Sequence, residues 1–127
     1  MNKLLAGLIL LIPLYSLGSI SNAEVRNEIQ AVINASTFPQ SVDAVTDLVE
    51  MNTSTRGIVY IYQVNYDQDQ LGPISTVMKN LEQQNLNTLC TNPVMDWYKT
   101  NDVDMIYWYF DKSENFVSSF TINSNRC

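Results

Sequence analysis

Apolar residues recur along this chain with two different periods. From Glu24 to Ala35, Val25, Ile29, Val32 and Ile33 fall on one face at helical spacing, and Ser36 to Pro39 ends the run. Val42, Val45 and Val49 also fit a helical stripe. However, Val42 to Met51 is rich in valine and threonine, and the extended pattern continues through Asn52 to Gly57, so a strand is expected there. Ile58 to Asn65 alternates cleanly. Ile58, Tyr60, Tyr62 and Val64 share one face, and Val59, Ile61, Gln63 and Asn65 share a second that turns polar toward its end. A polar loop over Tyr66 to Gly72 leads to Pro73, well placed in the first turn of a helix carrying Ile74, Val77, Met78 and Leu81. Leu86, Leu89 and Cys90 extend that face after a kink. Asn92-Pro93 then caps a short helix carrying Val94, Trp97 and Tyr98.

The last third alternates again. Asp104, Ile106, Trp108 and Phe110 point one way, and Met105, Tyr107 and Tyr109 the other. Phe116 to Ile122 forms a second strand, and Asp111 to Asn115 has hairpin length, with Asn115 suited to a left-handed position. The first of these strands is apolar on both sides, which makes it central. Trp108 is assigned to the core, and Tyr107 and Tyr109 to a half-wet face, because a phenol has an apolar body and a polar tip. The order is α-β-β-α-α-β-β. It predicts one small α+β domain, an antiparallel sheet of about four strands with helices packed on one face.

The first residues change the picture. Lys3, an apolar run from Leu4 to about Leu17 and the small residues Ser21-Asn22-Ala23 read as a secretory signal peptide over 1–23. The run contains Pro13 and is shorter than the ~20 residues of a membrane span. Residues 24–127 then form the single domain of a periplasmic or secreted protein, without membrane insertion after cleavage. All thirteen acidic residues follow Ala23, and one of the seven basic residues, Lys3, precedes it, so this part is one unit more negative than the −6 of the whole chain. An acidic protein without a basic run is a poor ligand for nucleic acid and suits a basic protein partner. Cys90 and Cys127 are the only cysteines. In an exported chain an even pair reads as a disulfide; two free thiols, or a bridge between chains through the terminal cysteine, are the alternatives.

Histidine is absent. Ser-His triads, Cys-His dyads and imidazole metal sites are therefore excluded. Only Gly57 and Gly72 lie beyond the leader, too few for a phosphate loop. What remains is carboxylate chemistry. Asp67 and Asp69 open a calcium-loop-like pattern that fails at Leu71 and Met78, where ligands belong. Asp102 and Asp104 flank Val103, and paired acids could serve glycan hydrolysis, although such a pair is more often a solvated turn. No cofactor or metal is expected. Tyr60, Tyr62, Tyr107 and Tyr109 are the candidate binding surface: aligned on one sheet face they would form a stripe suited to a protein partner.

Two stretches add a resemblance. Phe38-Pro39, Val42-Asp43, Thr46 and Leu48 precede the strand Ile58-Val59-Tyr60-Ile61-Tyr62-Gln63-Val64. Cys90, Ile106-Tyr107-Trp108-Tyr109-Phe110-Asp111, Phe116 to Ile122 and Cys127 follow. Together they resemble a family of small exported bacterial proteins grouped as candidate quorum-sensing-regulated virulence factors. The resemblance implies a compact α+β domain with a disulfide, no established activity and no assigned site residues. The expected function is thus an exported, non-enzymatic protein that recognises another protein, such as a virulence-associated, immunity or inhibitor protein. The alternatives are a carboxylate-dependent glycan hydrolase and a subunit of an envelope assembly that accepts a strand at its sheet edge.

Overall fold

The structure, a computed structural model, describes residues 20–127 apart from Leu71 and the side chain of Gln68. Most of the expected leader, 1–19, lies outside the described residues. Helix α1 spans Asn22–Asn34. Ser21 caps it: its Oγ accepts from the Glu24 amide at 3.2 Å and donates to the Glu24 carboxylate, a reciprocal pairing at the first turn. Val25, Ile29 and Val32 are buried along its inner face.

Five strands follow in spatial order: β1 (Gln40–Ser41), β2 (Thr46–Ser54), β3 (Gly57–Val64), β4 (Asp104–Phe110) and β5 (Phe116–Ile122). The segment read ambiguously over 42–51 is a turn leading into a strand. The chain is of the α+β class, but the sheet is mixed and five-stranded, not four-stranded and antiparallel. Two observations account for the difference. The two-residue β1 pairs with β2 at Gln40–Leu48 and Ser41–Asp47, too short to leave an alternating signature. The connection after β3 carries helix α2 (Ile74–Thr91) and helix α3 (Asp96–Thr100) and returns the chain so that β4 lies parallel to β3. Parallel neighbours need such a crossover, whereas β2–β3 and β4–β5 are joined by tight turns.

Helix α2 runs without a break across the position where a kink was expected, because Leu81 and Leu86 pack against the core on the same side as buried Met78 and Leu89. The β4–β5 turn also differs in detail. The left-handed residue is Glu114 (φ 65°), not Asn115. Asp111 organises this turn: its buried carboxylate accepts from the amides of Ser113 and Asn115, both at 2.9 Å, and the second bond holds Asn115 in place.

Helix α1 packs over β2 and β3, and α2 over β5, on the same side of the sheet. Cys90, at the end of α2, is bonded to Cys127. Nearby, Arg126 Nη1 lies 2.6 Å from the Glu82 carboxylate and donates to the Thr121 carbonyl at 2.7 Å. Gly57 begins β3 beside the backbone of Asp104 in β4. A Cβ there would sit 2.6 Å from both the Asp104 carbonyl oxygen and Ser54 Oγ. Gly57→Ala is therefore expected to cost about 1–3 kcal/mol, as overpacking does. A lowered urea midpoint at unchanged slope is the measurement; an unchanged midpoint would refute the close approach.

Candidate functional site

The sheet's two faces are built from different residues. The inner face, under the helices, carries Leu48, Met51, Ile58, Tyr60, Tyr62, Met105, Tyr107, Tyr109, Phe120 and Ile122, all buried. The four tyrosines proposed from sequence as a binding surface do align: Tyr60 stacks on Tyr107 and Tyr62 on Tyr109, each at 5.0 Å between ring centroids. They align inside the core, 1–4 % exposed, so they are not a surface. Trp108, assigned to the core from sequence, is instead 42 % exposed. The physical reason is the parallel register. It pairs Tyr60 with Tyr107 and Tyr62 with Tyr109, and so pairs Trp108 with Ile61, on the β3 face that ends in Gln63. The aromatic with the greater area is thereby left outside.

Burial disfavours the charged form of these phenols. It is the main cause holding Tyr60, Tyr62, Tyr107 and Tyr109 above the ordinary tyrosine value, with neighbouring phenols adding to the effect for the first three and Asp43 for Tyr109. Tyr98, on α3, is raised by burial alone. The hydroxyls of Tyr60 and Tyr98 have no hydrogen-bond partner among the described residues.

Among the described residues no helix lies on the outer face. The strand register arranges it in three rows: Asp47–Gln63–Phe110–Phe116, Glu50–Ile61–Trp108–Ser119, and Asn52–Val59–Ile106–Thr121. Its centre, contributed by β3 and β4, is apolar apart from Gln63. Its β2 side is acidic or amide, and its β5 side ends in Phe116 and hydroxyls. Trp108, Phe110 and Phe116 form an aromatic cluster. Ring centroids are 6.5 Å apart for Trp108–Phe110, 6.2 Å for Trp108–Phe116 and 5.8 Å for Phe110–Phe116, the latter two edge to face. Phe116 is 52 % exposed. Beside the cluster a groove of about 270 Å³ is lined by Val49, Ile61, Gln63, Phe110 and Glu114. Val49 reaches it through a break in the β2–β3 register between Leu48 and Glu50.

Asp67, Asp102 and Asp104 are engaged in holding loops. Asp67 accepts from Ser113 Oγ at 2.8 Å and lies 3.8 Å from the Lys112 ammonium. Asp69 belongs to a short 3-10 turn, Gln68–Gln70. Asp102, at φ 51°, accepts from Ser124 Oγ, and Asp104 accepts from Asn123 Nδ2. Among the described residues no group of three or more His, Cys, Asp or Glu side chains is arranged to hold a metal ion. No described helix is long and apolar enough to cross a membrane.

A family model described as a domain of unknown function, DUF8479, matches residues 22–117. No curated protein matches the sequence. Three solved structures share the fold. A candidate secreted protein from Pseudomonas aeruginosa superposes with a TM-score of 0.70 at 12 % identity, over 86 % of this chain and 97 % of that one. The pilotin EpsS of the Vibrio vulnificus type 2 secretion system gives 0.65 at 8 % identity, over 84 % of this chain and 90 % of the pilotin. The type II secretion system pilotin AspS from Vibrio cholerae gives 0.59 at 9 %, over 84 % and 91 %.

Proposed function

The chain belongs to the DUF8479 family of domains of unknown function, and from that premise we propose that it is an exported, non-enzymatic protein-binding domain of a cell-envelope assembly. The outer sheet face is its contact surface. One observation carries the reading: the central parallel pair β3–β4 is apolar on both faces apart from Gln63, and α1 and α2 cover only one. Parallel pairs of this kind are ordinarily covered on both sides. An exposed aromatic cluster beside a groove is the usual composition of a binding hot spot. The fold shared with two pilotins supports a place in a secretion-type assembly, and the fold shared with a candidate secreted protein supports export. The disulfide and the leader read over 1–23 support the same compartment. A virulence-associated, immunity or inhibitor role would use the same face.

The test is photocrosslinking in the native envelope, with a photoreactive phenylalanine analogue at 108 or 116 and, as the reference, at exposed Gln83 on the helix side. Adducts to one protein from 108 and 116, and none from 83, are expected. No adduct from the sheet face, or the same adducts from all three positions, overturns the reading. Trp108→Ser is expected to weaken binding to the crosslinked partner by roughly 2 kcal/mol or more, as hot-spot truncations do. The chain's own thermal midpoint should barely move, because that side chain is already half in water.

A further inference from the structure

Resting on that reading, we propose that the segment docked on the outer face is an amphipathic helix of the partner protein, with basic residues along one flank. Three features of the face select it.

The first is hydrogen bonding. Within a sheet interior the backbone N–H and C=O groups of β3 and β4 are spent on their neighbours in the ladder. A face, unlike an edge, therefore offers an incoming chain no backbone partners, and a segment that buries itself there must satisfy its own. A helix does so, as α1 and α2 already do on the opposite side. The second is width. The apolar centre spans two neighbouring strands, and with side chains this makes a stripe roughly 10 Å across, the diameter of one helix. From Ile106 to Phe110 it runs about 13 Å, some two to three helical turns. A second sheet would need a broader apolar surface than β2 and β5 provide, since apart from Val49 and Phe116 their outer positions are Asp47, Glu50, Asn52, Ser119 and Thr121.

The third is charge. Asp47, Glu50 and Glu114 border the stripe, and none is in an ion pair among the described residues. Lys112, the cation at that end, is engaged with Asp67. Glu50 is instead held toward the surface by Asn52 Nδ2, at 2.6 Å. Arg26 and Lys79 lie on α1 and α2, the helix side. The face therefore presents an apolar stripe with an uncompensated acidic border along β2 and at the β4–β5 turn. A lysine- or arginine-flanked helix complements it. An anionic membrane, the other host for an exposed tryptophan, is repelled by it.

The oxidised domain would be titrated with two tryptophan-free peptides of about 18 residues, long enough to hold a helix. Both carry leucines at i, i+3, i+4 and i+7; one is flanked by lysines and the other by glutamates. Phosphatidylcholine vesicles, with and without phosphatidylglycerol, form the third arm. Trp108 emission, with Trp108→Phe as the blank, and backbone amide shifts are the readouts. The lysine peptide is expected to shift Trp108 to the blue and to perturb amides of β3 and β4, with the glutamate peptide at least about fivefold weaker. Asp47→Lys with Glu50→Lys should invert the preference, and the milder Asp47→Asn with Glu50→Gln should erase it.

Equal affinity for the two peptides, perturbations confined to the helix side, or a larger Trp108 response to vesicles than to the lysine peptide each overturns the proposal. Crosslinks from 108 and 116 to a single protein, together with equal peptide affinities, leave the protein-binding function standing and remove only the basic helix. Absence of those crosslinks removes both.

Discussion

Above pH about 10 the domain is expected to lose stability steeply, at a limiting rate of about 7 kcal/mol per pH unit. Five phenols set that slope: Tyr60, Tyr62, Tyr98, Tyr107 and Tyr109. Each is held above the ordinary tyrosine value, chiefly by burial. A raised phenol keeps its proton in the folded state at a pH where the unfolded chain has released its own. Below the unfolded value of about 10 both states are protonated, and the full stability is present. As the pH climbs beyond it, the unfolded state gains ionisation free energy that the folded state cannot match, and stability falls. A domain of this size has roughly 5–15 kcal/mol to lose. Unfolding is therefore expected within one to two units above pH 10, with several phenols ionising together. Absorbance at 295 nm and far-ultraviolet circular dichroism, followed in one titration, should change in step. Phenolate appearing near pH 10 while the circular dichroism stays native would show that the stacked tyrosines are open to water, and the assignment of the two sheet faces would fall with it.

That assignment separates what the residues reveal from what they conceal. Four elements were legible because each repeats its own period over seven residues or more: Val25–Ile29–Val32, Ile58–Tyr60–Tyr62–Val64, Ile74–Val77–Met78–Leu81 and Phe116 to Ile122. The sulfur pair was legible because Cys90 and Cys127 are alone in a chain that reads as exported. The two-residue β1 was not, since two residues have no period. The parallel pairing of β3 and β4 was hidden too, because strand direction depends on where the long connection through α2 returns, and periodicity does not encode it. This cost the site. In Met105 to Phe110 both alternating sets are apolar, so the strand does not say which set is inside, and the larger aromatic was given to the core.

A signal did exist in β3. Its Val59–Ile61–Gln63 set, continued by Asn65 just past the strand, turns polar while Tyr60 and Tyr62 sit between Ile58 and Val64, which marks the tyrosine set as inner. Transferring that to β4 needed the register that sets Ile61 beside Trp108. Asp67, Asp69, Asp102 and Asp104 were visible as acidic pairs, but spacing alone does not tell a carboxylate that works on a substrate from one that ties down a loop.

Removing the disulfide is the second large effect. The bond joins residues 37 apart in sequence, and closing a loop of that length lowers the entropy of the unfolded chain by an amount worth about 4 kcal/mol in the chain-entropy model. Cys90→Ala with Cys127→Ala is accordingly expected to lower the unfolding free energy by about that much, a large share of what such a domain holds. The loss should begin locally. Cys127 ends a strap, Ser124–Arg126 in 3-10 form, whose other ties are Arg126 to Glu82 and to the Thr121 carbonyl, and Ser124 Oγ to Asp102. These ties are partly exposed and are individually worth about 1 kcal/mol or less, so the strap is expected to open first, followed by β5 at the sheet edge. Amide exchange should therefore quicken in Phe120 to Arg126 before it does in β3, which is flanked by strands on both sides. Urea unfolding of the oxidised chain and of the double variant measures the total. A difference below about 1 kcal/mol, or quickened exchange spread evenly over the sheet, would mean that the remaining contacts already hold the carboxyl end and that the cross-link adds little. The outer face predicts one more asymmetry. Its apolar stripe lies on β3 and β4, so the double variant, examined below its unfolding midpoint, should still bind the lysine-flanked peptide through Trp108 while its β5 edge exchanges freely.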